Sequence, residues 1–199
     1  MAYSDFSLDK VKKMFLLTEQ RIALFEPEKT IEPSEWLKET LSLGLETALS
    51  SSSEKARSEF IVVPVLLEMK RKNKEAFLIF SGERLDADPE KGLNGECDFI
   101  LTKGTPSSTV RSPIFSLVEA KKNDVKEGLG QCVAQMLGAG IFNRNEGNDI
   151  DSVYGCVTTG EVWQFLKIKE NVIFMDSVRY YISQVPKLLG VFQAVIDSC

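Results

Sequence analysis

The chain has 199 residues, of which 43% are hydrophobic and 27% are charged, with a net charge of −5 and no histidine. This length suits one well-buried core better than two domains. The acidic balance argues against a protein coated in basic surface, such as a histone-like nucleic-acid binder. Because histidine is absent, Ser-His-Asp and Cys-His catalysis, histidine-ligated zinc and a histidine base are excluded. The chemistry left to this chain uses carboxylates, lysine, tyrosine, hydroxyls, cysteine or a bound metal.

The cysteines and the apolar runs indicate the compartment. The four cysteines form no CxxC pair, so a zinc ribbon or thioredoxin-like motif is not expected, and the apolar surroundings of most of them predict buried thiols. Charged residues interrupt the first stretch, which does not resemble a signal peptide, and no apolar run reaches membrane-spanning length. These features predict a cytoplasmic protein without a membrane partner.

Three helices are predicted in the first third of the chain. Apolar residues recur at helical spacing over 7–25, and again from Pro33 or Ser34 towards the serine run 50–53. A third helix is predicted over 53–71, with a bend at Pro64 because an interior proline removes a hydrogen bond. We interpret residues 1–52 as a helical extension whose amphipathic helices are plausible interface material for a homodimer.

Strand patterns begin after the third helix. Residues 76–80 form a predicted strand, followed by a polar connection over 81–94. A second strand is predicted over 97–102, where alternation places Asp98 on the face of Ile100 and opposite Cys97 and Phe99. After a turn-rich stretch, a very apolar strand is predicted at 114–118 and ends in Glu119-Ala120-Lys121.

After residue 121 the chain shows a helix pattern, then three strand patterns and a last helix pattern. Asn123 or Asp124 caps a predicted helix that keeps one apolar face as far as Ile141. Strands are predicted at 152–159, 162–168 and 172–175, and a closing helix at 178–197. This order predicts a single α/β domain over 1–199, with a central mixed sheet flanked by helices. Its core would span 53–177, and the segment 178–199 would pack on that core.

The end of the strand 114–118 carries the chemical signal. Glu119 and Lys121 are two residues apart, so they share a strand face with each other and with Leu117 and Phe115. Burying two such charges unpaired would cost several kcal/mol or shift their pKa values. If the strand of Asp98 is a neighbour, two carboxylates converge, and a hard ion such as Mg²⁺ would relieve their repulsion. Lysine beside them can orient or deprotonate a water, or neutralise charge on a phosphodiester.

Asp98 followed by Glu119-x-Lys121 resembles the signature of the PD-(D/E)xK nuclease superfamily, which includes restriction enzymes and Holliday-junction resolvases. The resemblance implies a restriction-endonuclease-like core in which the two acids ligate Mg²⁺, with Mn²⁺ as a substitute, and the lysine assists the attacking water. It also implies an acid on the preceding helix, where Glu59 occupies the matching place. A glutamine on the following helix would be Gln131, with Gln135 as the other candidate. The backbone of Ala120 is a further possible metal ligand.

The resemblance covers residues 53–141, in the order helix, strand, strand, strand and helix. The strings GLNGECDFIL, VEAKK and GLGQCVAQM are also similar to those of uncharacterised cyanobacterial proteins assigned to this superfamily. One departure is the missing proline of the signature, because Glu96 and Cys97 precede Asp98.

The sequence leaves three functions open. The first is a Mg²⁺-dependent endonuclease acting on duplex or branched DNA. The second is a catalytically silent relative that keeps the fold and binds nucleic acid or a protein partner. The third is a different acid-rich α/β enzyme, such as a phosphatase with a two-carboxylate metal site. A nuclease site requires Lys121 to project on the same strand face as Glu119.

Overall fold

A computed structural model of the chain describes residues 1–25, 29–74, 76–148 and 150–198. These residues form a mixed sheet of eight strands with helices on both faces and a helix near the N-terminus. The α/β class and the central mixed sheet flanked by helices are therefore confirmed. Within the described residues, no helix combines the length and the apolar character needed to cross a membrane.

The elements follow one another in three groups. The first group contains helix α1 (Leu8–Phe15), strand β1 (Thr18–Ile22) and helices α2 (Glu35–Ser50), α3 (Glu54–Arg57) and α4 (Val63–Lys72). The second contains strands β2 (Phe77–Arg84), β3 (Glu96–Lys103) and β4 (Ile114–Ala120) and helix α5 (Val125–Asn145). The third contains β5 (Val153–Thr158), β6 (Val162–Lys169), β7 (Val172–Asp176), β8 (Tyr180–Tyr181) and α6 (Val185–Asp197).

The strand directions bring several strand ends to one edge of the sheet. The order is β1-β7-β6-β5-β4-β3-β2, with β8 paired to β6. The pairs β1–β7 and β4–β5 are parallel, and the remaining neighbours are antiparallel. Strands β1, β2, β4, β5 and β7 therefore end at the same edge, where β3 and β6 begin. We call this the carboxyl edge.

Each face of the sheet buries its own apolar cluster. Helices α1 and α5 cover one face, where Val11 and Val133 pack against Leu117 of β4. Helices α2, α4 and α6 cover the other face, where Leu37 and Phe192 belong to the same cluster. The two layers of helices leave the carboxyl edge of the sheet between them.

A β-bulge changes one predicted face assignment. The register between β3 and β4 shifts, so that Leu101 faces Ser116 while Thr102 faces Ile114. Phe115 is the extra residue, and it packs in the cluster beneath α2, α4 and α6. The prediction that Phe115 shares the face of Glu119 is therefore wrong, because a bulge interrupts the two-residue alternation.

The predicted helix over 7–25 is wrong beyond Phe15. Leu16 adopts a left-handed conformation with φ of 53°, and the Leu17 N–H donates to the Lys12 carbonyl at 2.9 Å, which ends the helix. Thr18–Ile22 then forms β1, paired with β7. The segment predicted as a helical extension thus contributes an edge strand to the sheet.

The helix predicted over 53–71 is present but irregular. A π-helical segment, Ser58–Val62, separates α3 from α4, and the Val63 N–H donates to the Ser58 carbonyl. This wider turn directly precedes Pro64, which has no N–H for an ordinary helical bond. The irregularity expected at Pro64 therefore takes the form of a π-helical turn.

Two further predicted boundaries are wrong. Strand β2 continues to Arg84, because the first part of the connection 81–94 still pairs with β3. The closing helix begins at Val185 instead of 178, because Tyr180–Tyr181 pairs with β6 first. The cysteine prediction is confirmed for the described thiols Cys97, Cys132 and Cys156, which are free and buried, while Cys199 lies outside the described residues.

Candidate functional site

Asp98 is held beside the end of β4 by a side-chain hydrogen bond. The pairing of β3 with β4 reaches Phe99 and Val118 at the carboxyl edge. Just beyond it, Asp98 Oδ2 accepts a hydrogen bond of 2.7 Å from the Ala120 N–H. The Asp98 carboxylate takes the place of a backbone carbonyl as the acceptor of the Ala120 N–H. This hydrogen bond holds Asp98 next to Glu119.

Glu119 is 1% exposed and has a donor on each oxygen. Lys121 Nζ lies 2.7 Å from Glu119 Oε1, and Gln135 Nε2 donates to Glu119 Oε2 at 2.9 Å. The Lys121 N–H also donates to the Thr158 carbonyl at 2.7 Å, which continues the pairing with β5 for one residue. Lys121 therefore projects on the face of Glu119, as a nuclease site requires.

Helix α5 supplies both candidate glutamines. Asp124 caps this helix by accepting from the Lys126 N–H at 2.9 Å, as predicted. Gln131 Oε1 accepts from Lys121 Nζ at 3.2 Å, and the buried Gln135 lies one turn further along on Glu119. The two glutamines thus hold the lysine and the glutamate respectively.

Gly128 allows α5 to approach the end of β4. A Cβ atom at this position would lie 2.6 Å from Val157 Cγ1 and 3.0 Å from Lys121 Cγ. Real Cβ atoms do not approach other atoms this closely, so a larger residue would displace the helix or the lysine. The glycine leaves room for the aliphatic part of Lys121 to pass beneath the helix.

The structure does not bring Glu59 to this site. Glu59 is exposed, and its carboxylate lies 3.8 Å from Lys55 Nζ. The helix acid at the site is Glu54, which accepts from the Lys122 N–H at 3.2 Å. Glu59 lies five residues further along, in the π-helical segment Ser58–Val62, and does not line the cavity of the site. Ser53 accepts from the Ala56 N–H and so places Glu54 in the first turn of α3.

A cavity of 460 Å³ opens over the site. Part of its wall comes from the N-terminal residues Ala2, Tyr3 and Ser4, which no sequence pattern linked to the site. Tertiary contacts bring them there. The Tyr3 N–H, for example, donates to the Asn94 carbonyl at 2.9 Å and holds the N-terminal residues beside β3. The cavity is lined by Ala2, Tyr3, Ser4, Glu54, Arg84, Gly95, Glu96, Asp98, Glu119, Lys121 and Gln131.

The ionisable groups of the site have shifted pKa values. Burial, and after it the charge of Asp98, raises the pKa of Glu119 to about 7. Burial also raises the pKa of Asp98, in spite of the Ala120 N–H. Burial works to lower the pKa of Lys121, but the charge and hydrogen bond of Glu119 outweigh it and raise that pKa. Such shifts within a cavity are typical of functional sites, and here the charge of Lys121 only partly offsets the burial of the two acids.

The oxygen donors of Asp98 and Glu119 suit a Mg²⁺ ion that keeps several water ligands, and not an ion bound by protein side chains alone. Among the described residues, no three acidic or cysteine side chains are grouped so as to hold a metal ion alone. Mg²⁺, however, is commonly bound by one or two carboxylates and completes its shell with water and phosphate oxygens. Asp98 and Glu119 provide hard oxygen ligands of that kind. Their pKa values are raised, and a bound cation would lower them again by stabilising the carboxylates.

No protein-family model and no curated protein matches this sequence. The resemblance to PD-(D/E)xK nucleases therefore depends on Asp98, Glu119, Lys121 and the two glutamines of α5. The structure groups all five around the end of β4.

Proposed function

We propose that this protein is a Mg²⁺-dependent nuclease that hydrolyses phosphodiester bonds of DNA by means of an activated water. The observation that carries the proposal is the grouping of Asp98, Glu119 and Lys121 at the carboxyl edge. Lys121 Nζ lies 2.7 Å from Glu119 Oε1, and Asp98 is fixed beside them by the Ala120 N–H. The buried Glu119 and the half-buried Asp98 are carboxylates suited to hold a metal ion for assisted hydrolysis, and Lys121 adds a cation beside them.

Asp98 and Glu119 would hold the metal ion, with Glu54 and the carbonyl of Ala120 as further oxygen donors. When bound, Mg²⁺ supplies Lewis acidity to the phosphate and lowers the pKa of a water. The protein's own contribution is to orient the carboxylates beforehand. Gln135 fixes Glu119 Oε2 and the Ala120 N–H fixes Asp98 Oδ2, so little reorganisation is needed when the substrate binds.

Lys121 is the group that meets the phosphodiester. Its pKa is raised, chiefly because the nearby Glu119 outweighs burial, so the free protein holds it as a cation instead of a base. Its Nζ can exchange Glu119 Oε1 for a phosphate oxygen, where the ammonium balances charge that develops during displacement. Gln131 accepts from the same Nζ at 3.2 Å and keeps the lysine at the cavity.

One observation favours a second function, a catalytically silent nuclease-like fold that binds nucleic acid or a protein. The 2.7 Å pair between Lys121 and Glu119 already satisfies both charges without a metal. In a silent protein this ion pair would have only a structural role. A homodimer also stays a prediction, and exposed apolar residues on α2, such as Leu43 at 80% and Trp36 at 39%, are consistent with it.

Cleavage assays on plasmid, linear duplex, single-stranded and four-way-junction DNA test the proposal. We expect purified protein to cut at least one substrate with Mg²⁺ or Mn²⁺ and none with EDTA. Lys121→Ala should reduce the rate by about 10² or more, since it removes a charge-stabilising group from the reacting phosphate. The matched control is Lys122→Ala, which removes the adjacent lysine and should keep the rate within about threefold.

Two results would overturn the nuclease proposal. If no substrate is cut with either metal, and calorimetry detects no Mg²⁺ binding at millimolar concentrations, the silent binding protein becomes the better description. Cleavage that persists in Lys121→Ala would also contradict it, because the activity would then belong to another site or a contaminant.

A further inference from the structure

A second cavity, of 330 Å³, lies on the same edge of the sheet as the acidic site. Three cations from separate segments line it: Arg21 near the end of β1, Lys126 in the first turn of α5, and Arg179 after β7. Within the described part of the chain, none of the three forms a salt bridge with a carboxylate. Their positive charge is therefore available to an anion.

The acids near this cavity do not cancel that charge. Asp9 and Glu19 also line it, but Glu19 is paired with Lys12 at 2.8 Å. The charged residues that line the cavity are thus three cations and two acids, one of which is paired with a lysine outside the lining. The cavity is thus locally positive in a protein whose net charge is −5.

A buried amide orients one of the arginines. Gln164 is 4% exposed, and its Nε2 donates to the Asp176 carbonyl at 2.9 Å. Its Oε1 accepts from Arg179 Nε at 3.3 Å, which leaves the two terminal nitrogens of that guanidinium without a hydrogen-bond partner among the described contacts. Arg21 is placed similarly, with Nη2 3.3 Å from Met175 Sδ. The three cations are exposed, and the buried Gln164 and Met175 hold two of them by one contact each.

The register of the sheet relates this cavity to the acidic site. Glu119 of β4 faces Val157 of β5, and Val157 faces Gln164 of β6. Residues paired in this way share a face, so Glu119 and Gln164 point to the same side two strands apart, about 10 Å at the usual strand spacing. Gly128 of α5 packs on Val157 between them. The two cavities therefore lie on either side of the start of α5.

We propose that the Arg21–Lys126–Arg179 cavity binds a phosphodiester of the nucleic-acid strand whose scissile phosphate occupies the acidic site. The proposal rests on the nuclease function above and adds the path of the substrate, which runs along the carboxyl edge across the start of α5. Phosphates of a duplex follow one another at about 3.4 Å per strand along the axis, so about 10 Å spans a few nucleotides. Guanidinium groups suit this role because they bind phosphate oxygens with two parallel donors.

Binding of a short fluorescent DNA duplex in EDTA, followed by anisotropy, tests the path without cleavage. We expect the double variant Arg21→Ala/Arg179→Ala to weaken binding at least tenfold near 0.1 M salt. The slope of log K against log salt should also fall by about 0.9, the value for one lost phosphate contact. The matched control is Arg144→Ala/Lys169→Ala, which removes two cations at the end of α5 and the far end of β6. We expect the control to bind within about twofold of the wild type.

Each possible result decides the proposal. Equal losses in the double variant and the control, or no detectable binding by the wild type, would overturn it. Displacement of the duplex by a few millimolar inorganic phosphate at constant ionic strength would assign the cavity to a small free anion and also overturn it. Binding that depends on Arg21 and Arg179 without any cleavage would sustain this path and refute only the nuclease. Cleavage by the wild type with unchanged binding in the double variant would refute only this path.

Discussion

Two buried glutamates of this protein lie in opposite electrostatic settings. Glu68 of α4 is 0% exposed and accepts from both the N–H and the hydroxyl of Ser34, each at 2.8 Å. The side chains of Arg71 and Lys72 lie 3.4 Å from its oxygens. Glu119 of β4 is equally buried, but it shares its surroundings with a second carboxylate.

The surrounding donors decide which form of each acid is favoured. Burial works to raise the pKa of Glu68, but the Ser34 donors and Lys72 outweigh it and lower that pKa. At Glu119, burial and Asp98 outweigh Lys121 and Gln135, and the pKa rises to about 7. Glu68 is a structural anchor that fixes the start of α2 to α4, whereas at Glu119 one lysine does not outweigh burial and a second carboxylate. Burial alone therefore does not identify a functional acid, and the balance of its neighbours does.

The largest expected effect of this difference is a loss of stability as the pH rises from about 4.5 to about 7. Because the folded-state pKa of Glu119 is raised from 4.5 to about 7, its contribution is full below pH 4.5 and is lost as the pH rises through about 7. The loss is on the order of 3 kcal/mol. We expect Glu119→Gln to remove it, so the variant should gain stability over the wild type between about pH 5 and pH 8. Urea unfolding in EDTA measures this difference.

Glu68→Gln is the matched comparison, and we expect it to lower the free energy of unfolding where Glu119→Gln raises it. Its folded-state pKa is lowered, so the carboxylate stabilises the protein above pH 4.5 and loses this effect as the pH falls through the folded-state pKa. We expect this variant to lose about 1–3 kcal/mol at neutral pH, and less in acid. If both variants shift stability in the same direction at about pH 8, the contrast between the two glutamates is wrong.

Added Mg²⁺ should give the next largest effect. An ion that binds only the folded protein stabilises it by about 2.7 kcal/mol at a concentration 100 times its Kd. Binding needs ionised Glu119 and Asp98, whose pKa values are raised, so the increase in Tm should be greater at about pH 8 than at about pH 6. Calorimetric melting curves measure this. Glu119→Gln should abolish the increase and Glu68→Gln should keep it, whereas an unchanged increase in Glu119→Gln would place the ion elsewhere.

The smallest expected effect concerns the room that α5 leaves for Lys121. Gly128→Ala would place a Cβ atom against Val157 and Lys121, and we expect it to cost about 1–3 kcal/mol and to slow cleavage further by displacing the lysine. Gly140→Ala, in the same helix, meets only Arg144 Nη1 at 3.6 Å and should gain about 0.5–1 kcal/mol. Denaturant unfolding of the two variants compares them, and equal changes would show that Gly128 has no special packing role.

The sequence by itself determined the order of helices and strands from 33 to 176 and the placement of the principal site residues. Asp98 stands near the start of β3, and Glu119 and Lys121 at the end of β4. The strands themselves were predictable because both are strongly apolar, but alternation failed at Phe115 and at Cys97, which packs in the cluster of Ile100 instead of that of Phe99. Gln131 and Gln135 were singled out by the resemblance, and the structure places them one helical turn apart on α5, in contact with Lys121 and Glu119.

Only the tertiary structure decided the features that depend on distant contacts. All five residues of β1 are exposed, so no apolar alternation distinguished this edge strand, and only its pairing with β7 defines it. Glu54 lies at the site in place of Glu59, and only its contact with the Lys122 N–H, 68 residues along the chain, shows this. The grouping of Arg21, Lys126 and Arg179 came from three segments far apart in the chain. Local periodicity predicts which side chains share a face of one element, but the faces that meet are set by packing across the whole sheet.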